Sequence, residues 1–123
     1  MSTIALTEAN FEKTITENDI VLVDFWAPWC GPCRQFGPIF EEASNKHEDI
    51  VFGKVNTDEE RQLAAAGRIS SIPTIMAFRD GIAIFSQPGA LPSHSLEELI
   101  KDIRKVDMDR VKAERKEAEK EKE

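Results

Sequence analysis

At 123 residues the chain suits one domain and is too short for a multidomain machine. Hydrophobic residues make up 41 % of it and charged residues 32 %, enough apolar material for a core. Its 16 Lys and Arg stand against 23 Asp and Glu, a formal charge of −7, which argues against an electrostatic grip on nucleic acid or on anionic membrane as the main activity. No apolar run approaches the ~18 residues of a membrane span. The first residues, Met1 to Glu8, show neither a basic nor an apolar leader segment. Cytoplasmic location is the expectation.

In chain order, Phe11 and Ile15 lie four apart between polar residues after Thr7, which predicts a short amphipathic helix over 8–17 with Thr7 as N-cap. Residues 20–27 form an apolar run broken only by Asp24 and predict a strand buried on both faces. From Gly31 to about Lys46 the period becomes helical, with Phe36, Ile39, Phe40 and Ala43 on one side and Pro38 as a source of a kink. A second strand is predicted over 50–56. Thr57 and Glu60 then read as a capping box for a helix carrying Leu63 to Ala66, stopped by Gly67. Runs 74–78 and 82–85, separated by Arg79-Asp80-Gly81, predict a hairpin. A last helix begins near Ser93 or Ser95, with Leu96, Leu99, Ile100, Ile103 and Val106 on one face. The order α-β-α-β-α-β-β-α implies parallel pairing of the helix-linked strands and an antiparallel edge from the hairpin.

Residues 107–123 change character, with six basic and seven acidic side chains and only Met108 and Val111 as sizeable apolar groups. Such a segment buries too little surface to fold alone. A helical extension, supported by pairs such as Arg115 and Glu119, a disordered tail and a partner-binding helix all fit. The domain itself is expected to occupy residues 1–106.

The only two cysteines are Cys30 and Cys33. A bond between residues three apart adds little through chain entropy, so their purpose is chemical. They stand where a buried strand hands over to a helix, and a helix N-terminus favours thiolate over thiol. The two-residue spacer lets one sulfur resolve a mixed disulfide formed by the other, and Pro32 presets the first helical turn. Zinc would want four ligands, and only His47 and His94 are at hand, at no finger-like spacing. An iron–sulfur cluster usually wants four cysteines. Metal binding and two inert core thiols remain the competing readings, and both histidines read as plain surface residues.

Trp29-Cys30-Gly31-Pro32-Cys33, preceded by Val23-Asp24-Phe25-Trp26-Ala27, resembles the active-site segment of the thioredoxin family. The resemblance continues through Pro38, Lys54, Ile72-Pro73-Thr74, Gly81 and Gly89-Ala90, and covers residues 1 to about 106. It implies the α/β thioredoxin fold, a central mixed sheet flanked by helices on both faces. It further implies Cys30 as exposed nucleophile, Cys33 as buried resolving thiol, and Trp29 packed beside the disulfide. Asp24 would be the buried proton shuttle for Cys33, with Lys54 as its charged neighbour. A cis bond before Pro73 would leave the Ile72 backbone free to pair with a substrate strand, and Gly89 and Ala90 would border the groove opposite. Gly31 and Pro32 would contact the substrate as well. Arg34 stands where a lysine is common and Ser70-Ser71 precedes Ile72 at the groove rim, two departures from the family pattern that bear on substrate preference.

The function so implied is reduction of disulfides in cytoplasmic proteins by dithiol–disulfide exchange. The chain has no Gly-rich dinucleotide fingerprint. Electrons would therefore arrive from a partner, which the resemblance implies is an NADPH-dependent flavoprotein thioredoxin reductase, with no cofactor bound here beyond the Cys30–Cys33 disulfide. Reductive enzymes such as ribonucleotide reductase, peroxiredoxins and methionine sulfoxide reductase are the substrates the family implies. A monomer is expected, since nothing resembles a coiled-coil seam. One alternative is a disulfide isomerase or oxidase, against which Pro32 speaks by standing where a histidine would make the pair more oxidising. The other is a redox-inactive binding subunit.

Overall fold

The run around Asp24 becomes the central strand of the molecule. In the computed structural model, which describes residues 3–121, ten elements follow in order. They are β1 (Thr3–Ala5), α1 (Phe11–Glu17), β2 (Ile20–Trp26), α2 (Gly31–Lys46), β3 (Val51–Asn56), α3 (Arg61–Ala66), β4 (Thr74–Arg79), β5 (Ile82–Pro88), α4 (Ser93–Arg104) and α5 (Met108–Glu121). The five strands form one sheet in the order β1-β3-β2-β4-β5. β1 and β2 run parallel to β3, while β2–β4 and β4–β5 are antiparallel. This is a thioredoxin fold.

Strand periodicity sorts the core onto two faces. Ile20, Leu22, Phe52, Ile75 and Ala77 meet Phe36, Phe40 and Ala43 of α2 and Leu96, Ile100 and Ile103 of α4. Val21, Val23, Phe25, Val55 and Phe78 meet Ile15 of α1, Phe11 and Leu63 packing around them. Asp24 shares the parity of Ile20 and Leu22. It therefore points to the side covered by α2.

Four expectations are corrected. Strand β1 is absent from the predicted order, because three residues are too few to show a period. Helix α1 starts at Phe11 rather than 8, because Asn10 Oδ1 accepts the Thr7 N–H at 2.8 Å and the Thr7 carbonyl accepts the Phe11 N–H, closing a turn ahead of the helix. The capping box at α3 does not form. Thr57 instead donates its hydroxyl to the Trp26 carbonyl at 3.1 Å, and Glu60 accepts the Glu8 N–H at 2.9 Å. Finally β4, although linked to β3 through a helix, runs opposite to it. Six helical residues rise only about 9 Å, too short to carry the chain back along the sheet, so it re-enters at the end where β3 left.

Asp80 (φ 53°) and Gly81 (φ 80°) make the hairpin turn, as two left-handed residues suit a twisted pair of strands. Beyond α4, Met108 is buried and Lys112 of α5 pairs with Asp80 at 3.0 Å. Arg79 donates to the carbonyl of Ile103 at 2.8 Å in the last turn of α4. Positions 122 and 123 of the charged segment lie outside the described residues.

Candidate active site

β2 delivers the chain to residues 27–29 and then to Cys30, the N-cap of α2. The Cys30 N–H donates to the Ala27 carbonyl at 3.2 Å, and the Cys33 N–H donates to Cys30 Sγ at 3.2 Å. Pro32 lies in the first turn, where no N–H is needed. Cys30 and Cys33 are joined as a disulfide. Both are buried, at 5 % and 4 % exposure, so the contrast expected between an exposed and a buried sulfur is not one of accessibility here. It lies in surroundings: Cys30 holds the capping position and lies 3.7 Å from the Ile72 carbonyl, whereas Cys33 sits within the helix and borders a cavity it shares with Lys54.

The facing wall comes from the entry to β4 and the exit from β5. The Ile72–Pro73 bond is cis. Ser71 accepts the Thr74 hydroxyl at 2.6 Å, and the Gly89 N–H donates to the Pro73 carbonyl at 2.7 Å. Gly89 has φ +104°, and a Cβ there would meet nothing within 4 Å. Its need for glycine is therefore conformational. Ala90 is exposed beside it. Trp29, expected to pack on the disulfide, is 67 % exposed and donates its indole N–H to the Asp58 carboxylate at 3.0 Å. Ala27, Trp26 and Ile72 are the apolar groups that pack around the cysteine pair. Between Trp29, Ile69, Ser71 and Ile72 opens a cavity of about 370 Å³.

On the α2 side, Asp24 of β2 and Lys54 of β3 are register partners. Asp24 is wholly buried, and neither carboxylate oxygen has a hydrogen-bond partner among the described residues. Burial raises its pKa from the usual 3.8 to about 7, against the opposing pull of the Lys54 charge. Lys54 is half-buried, its ammonium 4.9 Å from the centre of the Trp26 ring.

The thioredoxin family model matches residues 2–102. A putative thioredoxin 2 from Streptomyces coelicolor is 54 % identical over 111 residues, covering 90 % of this chain and 83 % of its own length. The chain belongs to the thioredoxin family. Thioredoxin 1 from Synechococcus elongatus is 47 % identical over 94 residues, covering 75 % of this chain and 88 % of its own. Among solved structures, a mutant thioredoxin from Halobacterium salinarum aligns with TM-score 0.80 at 28 % identity, over 86 % of this chain and 94 % of that one. A Plasmodium falciparum thioredoxin aligns with TM-score 0.76 at 35 % identity, over 81 % and 97 %.

As a thioredoxin-family member with a redox-active Cys-x-x-Cys pair, the chain is a thiol–disulfide oxidoreductase with protein-disulfide reductase activity. The isomerase and binding-subunit readings are not favoured. Two features of this thioredoxin escaped the sequence. Asp58 carried no signal pointing to Trp29, and Trp26 gave none for its stacking with Lys54. His47 is also not the plain surface residue expected. It is half-buried, its Nε2 lies 2.7 Å from Glu97, and Arg104 donates to its Nδ1 at 3.1 Å. His94 is exposed. No helix of the described residues is long and apolar enough to cross a membrane.

Proposed function

We propose that this thioredoxin works in the cytoplasm as a reductant, with Cys30 as nucleophile and Cys33 as resolving thiol. The observation that carries the reading is the Cys33 N–H directed at Cys30 Sγ from the N-cap of α2. That donor and the helix dipole favour negative charge on Cys30. The Cys30 thiolate attacks one sulfur of a substrate disulfide, and the other substrate sulfur leaves as a thiolate. Asp24, ionised in part near neutral pH, takes the proton of Cys33 through a water. The Cys33 thiolate then attacks Cys30 Sγ, releasing the second substrate thiolate and closing the Cys30–Cys33 bond. Two electrons pass to the substrate. Lys54 keeps Asp24 from rising further and so keeps carboxylate available at neutral pH.

The substrate chain would lie between Trp29, Gly31 and Pro32 on one side and Ile72, Pro73, Gly89 and Ala90 on the other. Disulfides in reductive enzymes are the class of substrate, and the reset would take two electrons from NADPH through a thioredoxin reductase. The test is the potential of the Cys30–Cys33 pair, measured against dithiothreitol buffers by tryptophan fluorescence. About −270 mV, the value of thioredoxins as a class rather than one derived from this geometry, supports a reductant. About −180 mV or higher would mean isomerisation or oxidation instead.

A further inference from the structure

Beside Cys33 is a cavity of about 360 Å³ lined by Trp26, Cys33, Arg34, Pro38, Glu41 and Lys54, none of which lines the cavity between Trp29 and Ile72. It brings two cations together in a chain whose net charge is −7, and neither forms an ion pair with a carboxylate among the described residues. Arg34 spends one N–H on the Pro28 carbonyl at 3.1 Å, leaving the rest of its five-donor fork. Lys54 lies against Trp26 and near Gly37, where a Cβ would come 3.7 Å from its ammonium. The one carboxylate on the cavity wall among the described residues, Glu41, accepts the hydroxyl of Thr3.

We propose that this cavity binds a small organic carboxylate, its head between Arg34 and Lys54 and its apolar body on Trp26 and Pro38. Two donor-rich cations suit an oxyanion. Glu41 on the same wall limits the negative charge the cavity tolerates and so favours a single carboxylate over a phosphate dianion. The indole and proline faces give a short hydrocarbon body somewhere dry to lie. Occupancy has a consequence for the redox centre, resting on Asp24 as the base of the proposed function. A carboxylate beside Lys54 offsets the positive charge that favours ionised Asp24. Asp24 then stays protonated to higher pH, and the Cys33 step slows at neutral pH. Lys54 of β3 is the charge that acts on Asp24 of β2, and the titratable and charged groups around it in the cavity are Cys33, Arg34 and Glu41 of α2.

The test is calorimetric titration of the oxidised full-length chain with sodium butyrate, and with inorganic phosphate, at ionic strength held constant with chloride. Saturable butyrate binding is expected, about tenfold weaker in Arg34→Gln and largely restored in Arg34→Lys. Absence of saturable butyrate binding, or equal affinity in Arg34→Gln, would overturn the site. Binding of phosphate but not butyrate would overturn the ligand class. The carboxyl carbon of Asp24, followed by NMR, is expected to titrate at higher pH when butyrate is bound. An unmoved midpoint with butyrate bound would overturn the regulatory link. The role of Asp24 as base is read separately, from the pH dependence of the Cys33 step without butyrate, so the two can fail independently.

Discussion

Asp24 and Lys54 face each other across neighbouring parallel strands, the aspartate wholly buried and the lysine half-buried, with no hydrogen bond to either Asp24 carboxylate oxygen among the described residues. Desolvation outweighs the attraction, and the Asp24 pKa ends near 7. In the unfolded chain it titrates at the ordinary value. Between the two values the native state holds a proton that the unfolded state has lost, so stability falls as pH rises from about 4 to about 7. The full interval, from 3.8 to about 7, corresponds to about 4 kcal/mol. Asp24→Asn is expected to flatten that decline, most visibly as greater relative stability at pH 8. Urea unfolding at pH 5 and pH 8 checks it, and a decline left intact in the variant would place its source elsewhere.

Lys54 acts on the same carboxylate with the opposite sign. Lys54→Met removes the charge that lowers the Asp24 pKa, so the midpoint is expected to move above its present value near 7. The rate of the Cys33 step would follow it, its rising limb shifting to higher pH while the Cys30 attack on substrate is little changed. Single-turnover kinetics over pH 6–9 separates the two. A rising limb that stays in place would remove Lys54 from the proton transfer.

Cys33→Ser leaves the N-cap sulfur in place and removes the group that resolves its mixed disulfide. Covalent complexes with disulfide-bearing proteins are therefore expected to accumulate on Cys33→Ser and not on Cys30→Ser, read on non-reducing gels. The reverse pattern would exchange the roles of the two cysteines. Their nearly equal burial in the oxidised state makes this the decisive distinction.

The residues that carry the chemistry were legible because each breaks a local rule. Asp24 interrupts an apolar strand, and Cys30 and Cys33 straddle a strand-to-helix junction. What escaped was set by partners distant in sequence. Thr57 and Glu60 have the spacing of a capping box, yet Trp26 and Glu8 claim their side chains first. Asp58 reaches Trp29 across 29 positions. β1 owes its existence to pairing with β3 through Thr3, Ile4 and Ala5, and three residues show no periodicity of their own.

Gly53 faces Leu6, which is buried at 1 % exposure. A Cβ at Gly53 would overlap the Leu6 side chain, so Gly53→Ala is expected to cost about 1–3 kcal/mol by overpacking. Shortening Leu6 makes room, so the double variant with Leu6→Ala should lose less than the sum of the single losses. Denaturant unfolding of the four proteins checks this. Strict additivity would show that the two side chains do not share the space.

Helix α5 sits at the end of the sheet remote from the disulfide. Asp80, which pairs with Lys112, follows Arg79, and Arg79 is opposite Ile20 at the start of β2, whereas Cys30 lies beyond its other end. Met108 is the apolar anchor of the helix, at 7 % exposure, and the Lys112–Asp80 pair is partly exposed. Met108→Ala is thus expected to lower stability by about 2 kcal/mol, and Lys112→Gln by no more than about 1 kcal/mol, with sensitivity to salt. Neither change reaches the surroundings of Cys30 or Cys33, so the reduction potential should stay at the parent value in both. Thermal unfolding and redox equilibration on the same samples separate the two effects. A potential that moves with Met108→Ala would mean that α5 is coupled to the active site through the β4–β5 hairpin.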